Sequence, residues 1–493
     1  MLLRILLLGL LVQCASAQQY NDEQSFFIDQ NESEINWCGI PERFNLNPRL
    51  KLIYGIDPVY DNLRYKGSCE VDSLLSYIPL KYGYTHINVP LDTNNVIYKG
   101  LAPNERASIV YLNRYLNTRE YPIIKDKSPF NNDFEKFNSD LKEKVLKHGA
   151  GLELDYLVWD IEKAVFGDAR ISKHLLEKKA ESESIWEAIP AALDVQEYKT
   201  LLHDFYLRFL ESGDSYLCYD GLQQSSYADV PIRRSYHQVR KTDWDDLIAD
   251  KADISNYLFF DENENPTDFY KSLDLLTPST YLIYQSGERG DNYLAYALFQ
   301  IEANLKFRDS YYELTGQKKE VIPFVWMRYH PNTPIKSNSR KLIEPYKAES
   351  LAIFTLMSGA DGLWLWDALD YYDRKFKELR GESFVTYNYF NRGLYRISKF
   401  NEFFDTSSQI LNQSNSNVKD PNRLFKQQTP VWRGIVSKDR SKILVAAHNP
   451  YAQEGQQTRM RIEYNSSDGT QSFTKEIILQ GKETFLEAFP IKN

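Results

Sequence analysis

Leu154-Asp155-Tyr156-Leu157-Val158-Trp159-Asp160-Ile161-Glu162 is the stretch on which the reading of this chain turns. It is an interior-strand pattern that ends in two acids, and residues two apart on a strand share a face about 6.6–7 Å apart. Seven further short β-rich runs, at 52–57, 86–91, 121–125, 215–219, 280–285, 321–328 and 362–367, join 154–161 to make eight. Amphipathic helical patterns at 133–148, 195–211, 293–315 and 347–357 lie between them, the last closing on Ser358-Gly359-Ala360 as a helix end should. Strand–helix alternation eight times over is the pattern of an α/β protein with a (β/α)8 TIM barrel. The other α/β candidate, an open doubly wound sheet, lacks support because no GxGxxG or P-loop follows any strand.

From about Thr429 the period changes. Short strands at 431–437, 443–448, 460–464, 473–479 and 484–488 alternate with turns such as Ser467-Asp468-Gly469, which predicts a C-terminal antiparallel β-sandwich domain. At the other end a single charge, Arg4, precedes an apolar run at 5–12 and then Ala15-Ser16-Ala17, the layout of a secretory signal peptide cleaved after Ala17. The expected organisation is therefore a signal peptide over 1–17, the barrel with a polar lead-in over 18–405, a linker over 406–424 and the β domain over 425–493. No later segment approaches the roughly 20 apolar residues of a membrane span, and the expected location is extracellular or periplasmic.

Composition narrows the partners. Across 493 residues, 59 Lys and Arg against 68 Asp and Glu leave a net charge of −9, with no basic block, so a nucleic-acid partner is not expected. Tyr, Phe and Trp number 35, 26 and 8, and flat rings with a polar edge suit sugars as well as cores. The four Cys lack metal spacing and the seven His are scattered, so neither a metal nor another cofactor is expected. After cleavage Cys38, Cys69 and Cys218 remain; a Cys38–Cys69 disulfide and three unpaired thiols are both open.

In such a barrel chemistry sits where strands run into their βα loops. Asp160 and Glu162 would face the mouth together, and mutual repulsion would leave one protonated beside one ionised, as glycoside cleavage requires. The alternative is that Asp160 caps the next helix and Glu162 is solvated. The other strand ends offer Asp57, then Tyr219 and Asp220, then Tyr284 with Glu288, then Trp326, Arg328 and His330, and finally Trp364, Trp366 and Asp367. Acids, an arginine, a histidine and aromatic rings gathered at one end of eight strands describe a carbohydrate cleft, with a polysaccharide or oligosaccharide as partner.

The run 157–162 resembles the fourth-strand DxE of chitinase-type and hyaluronidase-type glycoside hydrolases. Tyr216-Leu217-Cys218-Tyr219-Asp220-Gly221 resembles the chitinase Met-x-Tyr-Asp strand, and Gly362-Leu363-Trp364-Leu365-Trp366-Asp367 their last strand. The resemblance implies Glu162 as general acid, Asp160 as the residue orienting a substrate acetamido group that attacks internally, Tyr219 as its holder and Trp366 as a sugar platform. A retaining enzyme with Asp160 as covalent nucleophile and Asp220 or Glu288 as acid fits the same strands, and needs carboxyls about 5–5.5 Å apart. A third expectation is a non-catalytic chitinase-like lectin, which would typically lack the acid found here as Glu162.

Overall fold

The computed structural model describes residues 37–56, 75–89, 91, 100–110, 153–160, 168–181, 194–217, 220–227, 258–283, 292–331, 333, 337, 339–367, 385–406, 408–411, 430–466 and 468–491. Among the described residues nine strands carry the first part of the fold: β1 Lys51–Ile56, β2 His86–Asn88, β3 Arg106–Val110, β4 Tyr156–Trp159, β5 Gln223–Ser226, β6 Leu275–Leu276, β7 Glu320–Val321, β8 Phe324–Val325 and β9 Gly362–Asp367. Seven of them form one parallel sheet in the order β5-β4-β3-β2-β1-β9-β8. Parallel pairing of β6 with β7 and the parallel bridges Tyr227 to Thr277 and Ser279 to Phe324 link its two ends. Since β7 and β8 are two pieces of one stretch, 320–325, eight parallel stretches follow one another around a closed circuit. That is a TIM-barrel-like α/β fold.

The expected strands at 52–57, 86–91, 154–161, 321–328 and 362–367 correspond to β1, β2, β4, β7–β8 and β9. Three positions in the circuit differ: the sixth strand is Leu275–Leu276, followed by bridges at Thr277 and Ser279, and so precedes the expected run 280–285. The third strand is Arg106–Val110, absent from the sequence reading because Ala107 and Ser108 are weak strand formers; the run 121–125 lies outside the described residues. The fifth strand is Gln223–Ser226, whereas 215–217 belong to a helix. That helix starts with a reciprocal cap: Asp194 Oδ1 accepts from the Gln196 and Glu197 amides at 2.8 Å, and Glu197 Oε2 accepts from the Asp194 amide at 3.0 Å. Buried Tyr198, Leu202, Tyr206, Phe209, Leu210 and Leu217 then hold the helical period over 23 residues, so Tyr216-Leu217 is its last turn.

Among the described residues the α-helices are α1 Asp168–Glu181, α2 Val195–Leu217, α3 Asp268–Lys271, α4 Leu294–Thr315, α5 Pro345–Met357 and α6 Val385–Ser398. The patterns at 195–211, 293–315 and 347–357 became α2, α4 and α5; that at 133–148 lies outside the described residues. Glycines close two of them: Gly316 at φ 71° follows α4 and Gly359 at φ 97° follows α5.

Six antiparallel strands complete the chain: β10 Gln409–Leu411, β11 Val431–Val436, β12 Lys442–His448, β13 Gln457–Asn465, β14 Ser472–Gln480 and β15 Thr484–Pro490. One sheet runs β10-β11-β12-β15 and a second is the β13–β14 hairpin. β10 falls within the expected linker. The first sheet is buried on both sides: Val431, Ile435, Leu444 and Ala446 share a core with the barrel helices, while Trp432, Val436, Ile443 and Val445 pack with Met460, Ile462 and Phe473 of the hairpin. Polar ties run across the first contact. Tyr293 OH lies 2.8 Å from His448 Nε2, Ser350 Oγ 2.6 Å from Thr484 Oγ1, and Arg433 pairs with Glu302 at 2.6 Å.

Candidate active site

Parity along the strands sets what faces the barrel axis. Ile53, Ala107, Tyr156, Val158, Leu275, Ile322, Phe324 and Trp364 form one inner cluster, distinct from the outer core that meets the helices. On β4 the inward set continues from Tyr156 and Val158 to Asp160, which ends the strand half-buried with its amide donating to Val110 O at 2.9 Å. The register of β4 with β5 sets Trp159 opposite Ser226, and the Tyr227 amide donates to Trp159 O at 2.8 Å. Tyr227 is therefore the lateral neighbour of Asp160.

Aromatic rings from three further strand ends complete this rim. Tyr281 stacks on Trp366 at 5.7 Å and 22°, Trp326 meets Trp366 edge-on at 4.9 Å and 70°, and Tyr227 lies 6.3 Å from Tyr281. Trp366 and Tyr227 are half-buried, whereas Trp326 and Tyr281 are buried behind them. Beyond β8 the chain folds back antiparallel, with a bridge from Arg328 to Leu342, and returns to α5. This fold-back holds His330 stacked on Tyr281 at 6.2 Å, and the His330 amide donates to Leu282 O at 2.9 Å. Buried Lys347 on α5 braces it, donating to Tyr329 OH at 2.5 Å and pairing with Glu344 at 3.0 Å. Burial pushes the Lys347 ammonium below its ordinary range, opposed by the Glu344 carboxylate.

The sequence-derived candidates divide into three groups. Asp160, Trp326, His330 and Trp366 stand at the same end of the barrel, Asp160 beside Tyr227 and the other three around Tyr281, with Trp326 backing Trp366. Glu162, Asp57, Tyr219, Tyr284 and Glu288 lie outside the described residues; Asp367 ends β9, paired with Ile56. The remainder are corrected. Asp220 is exposed in the turn before β5, at the opposite end of the barrel, because α2 continues through Leu217. Trp364 is fully buried inside the barrel, stacked on Phe324 at 5.0 Å, so it is a core ring and not a platform. Gly55 makes its room: a Cβ there would lie 2.2 Å from Leu365 O and 3.0 Å from Trp364 Nε1. Arg328 is buried too, Nη1 donating to Arg340 O at 3.2 Å, and so serves the fold-back.

Tyr227 and Tyr281 were not singled out from the sequence. Tyr281 had a signal, since it opens the apolar run 281–283; Tyr227 follows Gln223-Gln224-Ser225-Ser226, which does not read as a strand. Three inward polar atoms, Asn88 Oδ1, Ser279 Oγ and Trp364 Nε1, are buried with no hydrogen-bond partner among the described residues. Among those residues no three His, Cys, Asp or Glu side chains gather as a metal would need, and no helix is long and apolar enough to cross a membrane.

No protein-family model matches the sequence, and no curated protein matches it. The chain aligns with bee venom hyaluronidase at 15% identity over 70% of this chain and 99% of that one, TM-score 0.41. It aligns with the same enzyme in complex with a hyaluronic acid tetramer at 13% identity, 71% and 99% coverage, TM-score 0.42. A GH36 alpha-galactosidase from Geobacillus stearothermophilus aligns at 9% identity over 93% of this chain and 56% of that one, TM-score 0.41.

Proposed function

We propose that this protein is a glycoside hydrolase that cleaves within a polysaccharide by carboxylate chemistry at the barrel mouth. The observation that carries the reading is the position of Asp160 at the C-terminal end of β4, beside Tyr227 in register and at the same end of the barrel as the Tyr281 and Trp366 rings. A sugar ring offers apolar C–H faces to such rings, and its glycosidic oxygen needs a proton donor opposite an anion.

Two routes use these residues. In the first, Glu162 protonates the leaving oxygen while the substrate's own acetamido oxygen attacks the anomeric carbon, with Asp160 orienting that group. In the second, Asp160 attacks, a covalent glycosyl-enzyme forms, and Glu288 protonates the leaving oxygen before water, deprotonated by the same residue, releases the sugar. Asp57, Tyr219, Tyr284 and Asp367 belong to the proposal as further substrate contacts. The same reading has the chain exported after cleavage behind Ala17, a barrel over 18–405, and a supporting β-sandwich over 425–493.

Reducing-sugar release from a polysaccharide panel tests the activity, with Asp160→Asn and Glu162→Gln alongside the parent chain. Release by the parent and its loss in both variants support the reading; release that survives in both overturns it. Peptide mass spectrometry after a fluorinated substrate analogue separates the routes, because only the second leaves an adduct on Asp160.

A further inference from the structure

A second concavity lies away from the mouth, where α5 and α6 meet the C-terminal strands. It encloses about 570 Å³, and its floor is Tyr346 and Glu349 of α5 with Tyr389 and Arg392 of α6. Its opposite wall is the 454–455 turn and the 480–483 turn between β14 and β15.

The floor is rigid. Arg392 forms a two-pronged pair with Glu349, Nε to Oε1 at 3.1 Å and Nη2 to Oε2 at 2.5 Å, and lies 4.3 Å from the Tyr389 ring centroid. Glu349 is 3% exposed and also takes Arg396 at 2.9 Å. Burial raises the Glu349 carboxyl, but Arg396 and Arg392 outweigh that and hold it below its ordinary range. The Lys482 ammonium lies 4.9 Å from the Tyr346 ring centroid on the facing wall.

This lining selects among ligand classes. The volume falls in the range of small-ligand sites, which run from about 300 to 1,000 Å³. The charges balance, with Glu349, Glu454 and Glu483 against Arg392, Arg396 and Lys482. A phosphate, sulfate or uronate would therefore meet no net attraction, and an apolar ligand would strip water from the exposed charges Glu454, Lys482 and Glu483. What fits is a molecule with flat C–H faces for Tyr346 and Tyr389 and a rim of hydroxyls that both donate and accept. We propose that this pocket binds an uncharged saccharide unit, as a site separate from the barrel mouth.

Affinity electrophoresis of the full chain through native gels tests this, with hydroxyethyl cellulose, soluble starch, galactomannan or glycol chitin as neutral probes and hyaluronan as the anionic one. The parent chain is expected to be retarded by at least one neutral gel and not selectively by hyaluronan. Tyr389→Ala is expected to weaken that retardation about tenfold or more, and Lys482→Ala severalfold, while Asp160→Asn and Trp366→Ala remain retarded. Melting curves establish that each variant is folded, and exposed Lys482 keeps the test valid if Tyr389→Ala is not. Absence of retardation in every neutral gel, retardation by hyaluronan alone, unchanged retardation in the folded pocket variants, or loss confined to Trp366→Ala would each overturn the proposal. An Asp160→Asn variant that is inactive yet retarded leaves the pocket standing, so failure of the catalytic reading remains distinguishable.

Discussion

The two ends of the barrel are built from opposite chemistry. At the N-terminal end the strands are tied by charge: Asp361, just before β9, takes Arg49 at 2.7 Å and Arg308 at 3.4 Å, and its Oδ2 accepts from the Val321 amide at 3.0 Å. Beside it His86 Nε2 donates to Asp155 Oδ2 at 2.8 Å, and Tyr156 OH donates to Glu320 at 3.2 Å. At the C-terminal end the strands finish in rings, with Asp160 among them. Asp361, His86 with Asp155, and Glu320 thus find partners across strand boundaries, which is how a closed sheet is locked. The upper end spends its side chains on a surface. The difference separates residues that hold the barrel from residues that can act on a ligand.

The largest effect expected from that contrast is at Asp160. Asp160→Asn should lower turnover roughly 10³-fold and leave the melting temperature near that of the parent chain. Steady-state rates and a thermal melt on the same sample check it, and a large drop in melting temperature would move Asp160 to the structural side.

Two tryptophans on one strand sharpen the comparison. Trp364→Ala removes a fully buried ring and should cost about 3–5 kcal/mol of stability. Trp366→Ala, two residues on and half-buried at the rim, should raise KM about tenfold with a small stability change. Denaturant titration and substrate saturation curves read the two separately; similar stability losses in both variants would erase the distinction. At the lower end, Asp361→Ala strands Arg49, Arg308 and the Val321 amide, and should cost about 3 kcal/mol without changing kcat of the folded fraction.

The smallest effect is a pH dependence at the contact between barrel and C-terminal sheet. Burial pushes His448 down to about 4, with Nε2 facing Tyr293 OH and Nδ1 facing Glu483 O. The unfolded chain protonates this histidine near 6.5 and the folded chain only near 4. The unfolded state therefore binds the extra proton in between, and stability should fall as pH drops from about 6.5 to about 4. Melting temperatures across that window should decline for the parent chain and less steeply for His448→Gln. Buried His86, also lowered, contributes with the same sign, so the variant retains part of the slope.

Local pattern was enough to read much of the fold. The run at 154–161 announced its strand, Gly359 ended α5 where expected, and alternation in 460–464 and 473–479 marked a hairpin whose Met460, Ile462, Phe473 and Leu479 all turn inward. These features depend on a residue and its near neighbours. What escaped was decided over longer distances. Tyr216-Leu217 looks like strand until the helical period from Tyr198 is carried forward to it, and Ala107-Ser108 looks like nothing until β2 and β4 supply its hydrogen bonds. The same holds at the site. The acids and rings of the strand ends were legible because residue type reports chemistry. Whether a ring is platform or core was not, since Trp364 and Trp366 share a face of β9 and only depth in the closed barrel separates them. Closure itself came from pairings between 227 and 277, 275–276 and 320–321, and 279 and 324, contacts between segments far apart in the chain. Sequence by itself determined the elements with a strong local period and the chemistry they carry. Tertiary structure decided which end of the barrel each group occupies, because that depends on where a strand begins, and Asp220 stands at the wrong end for want of a few residues.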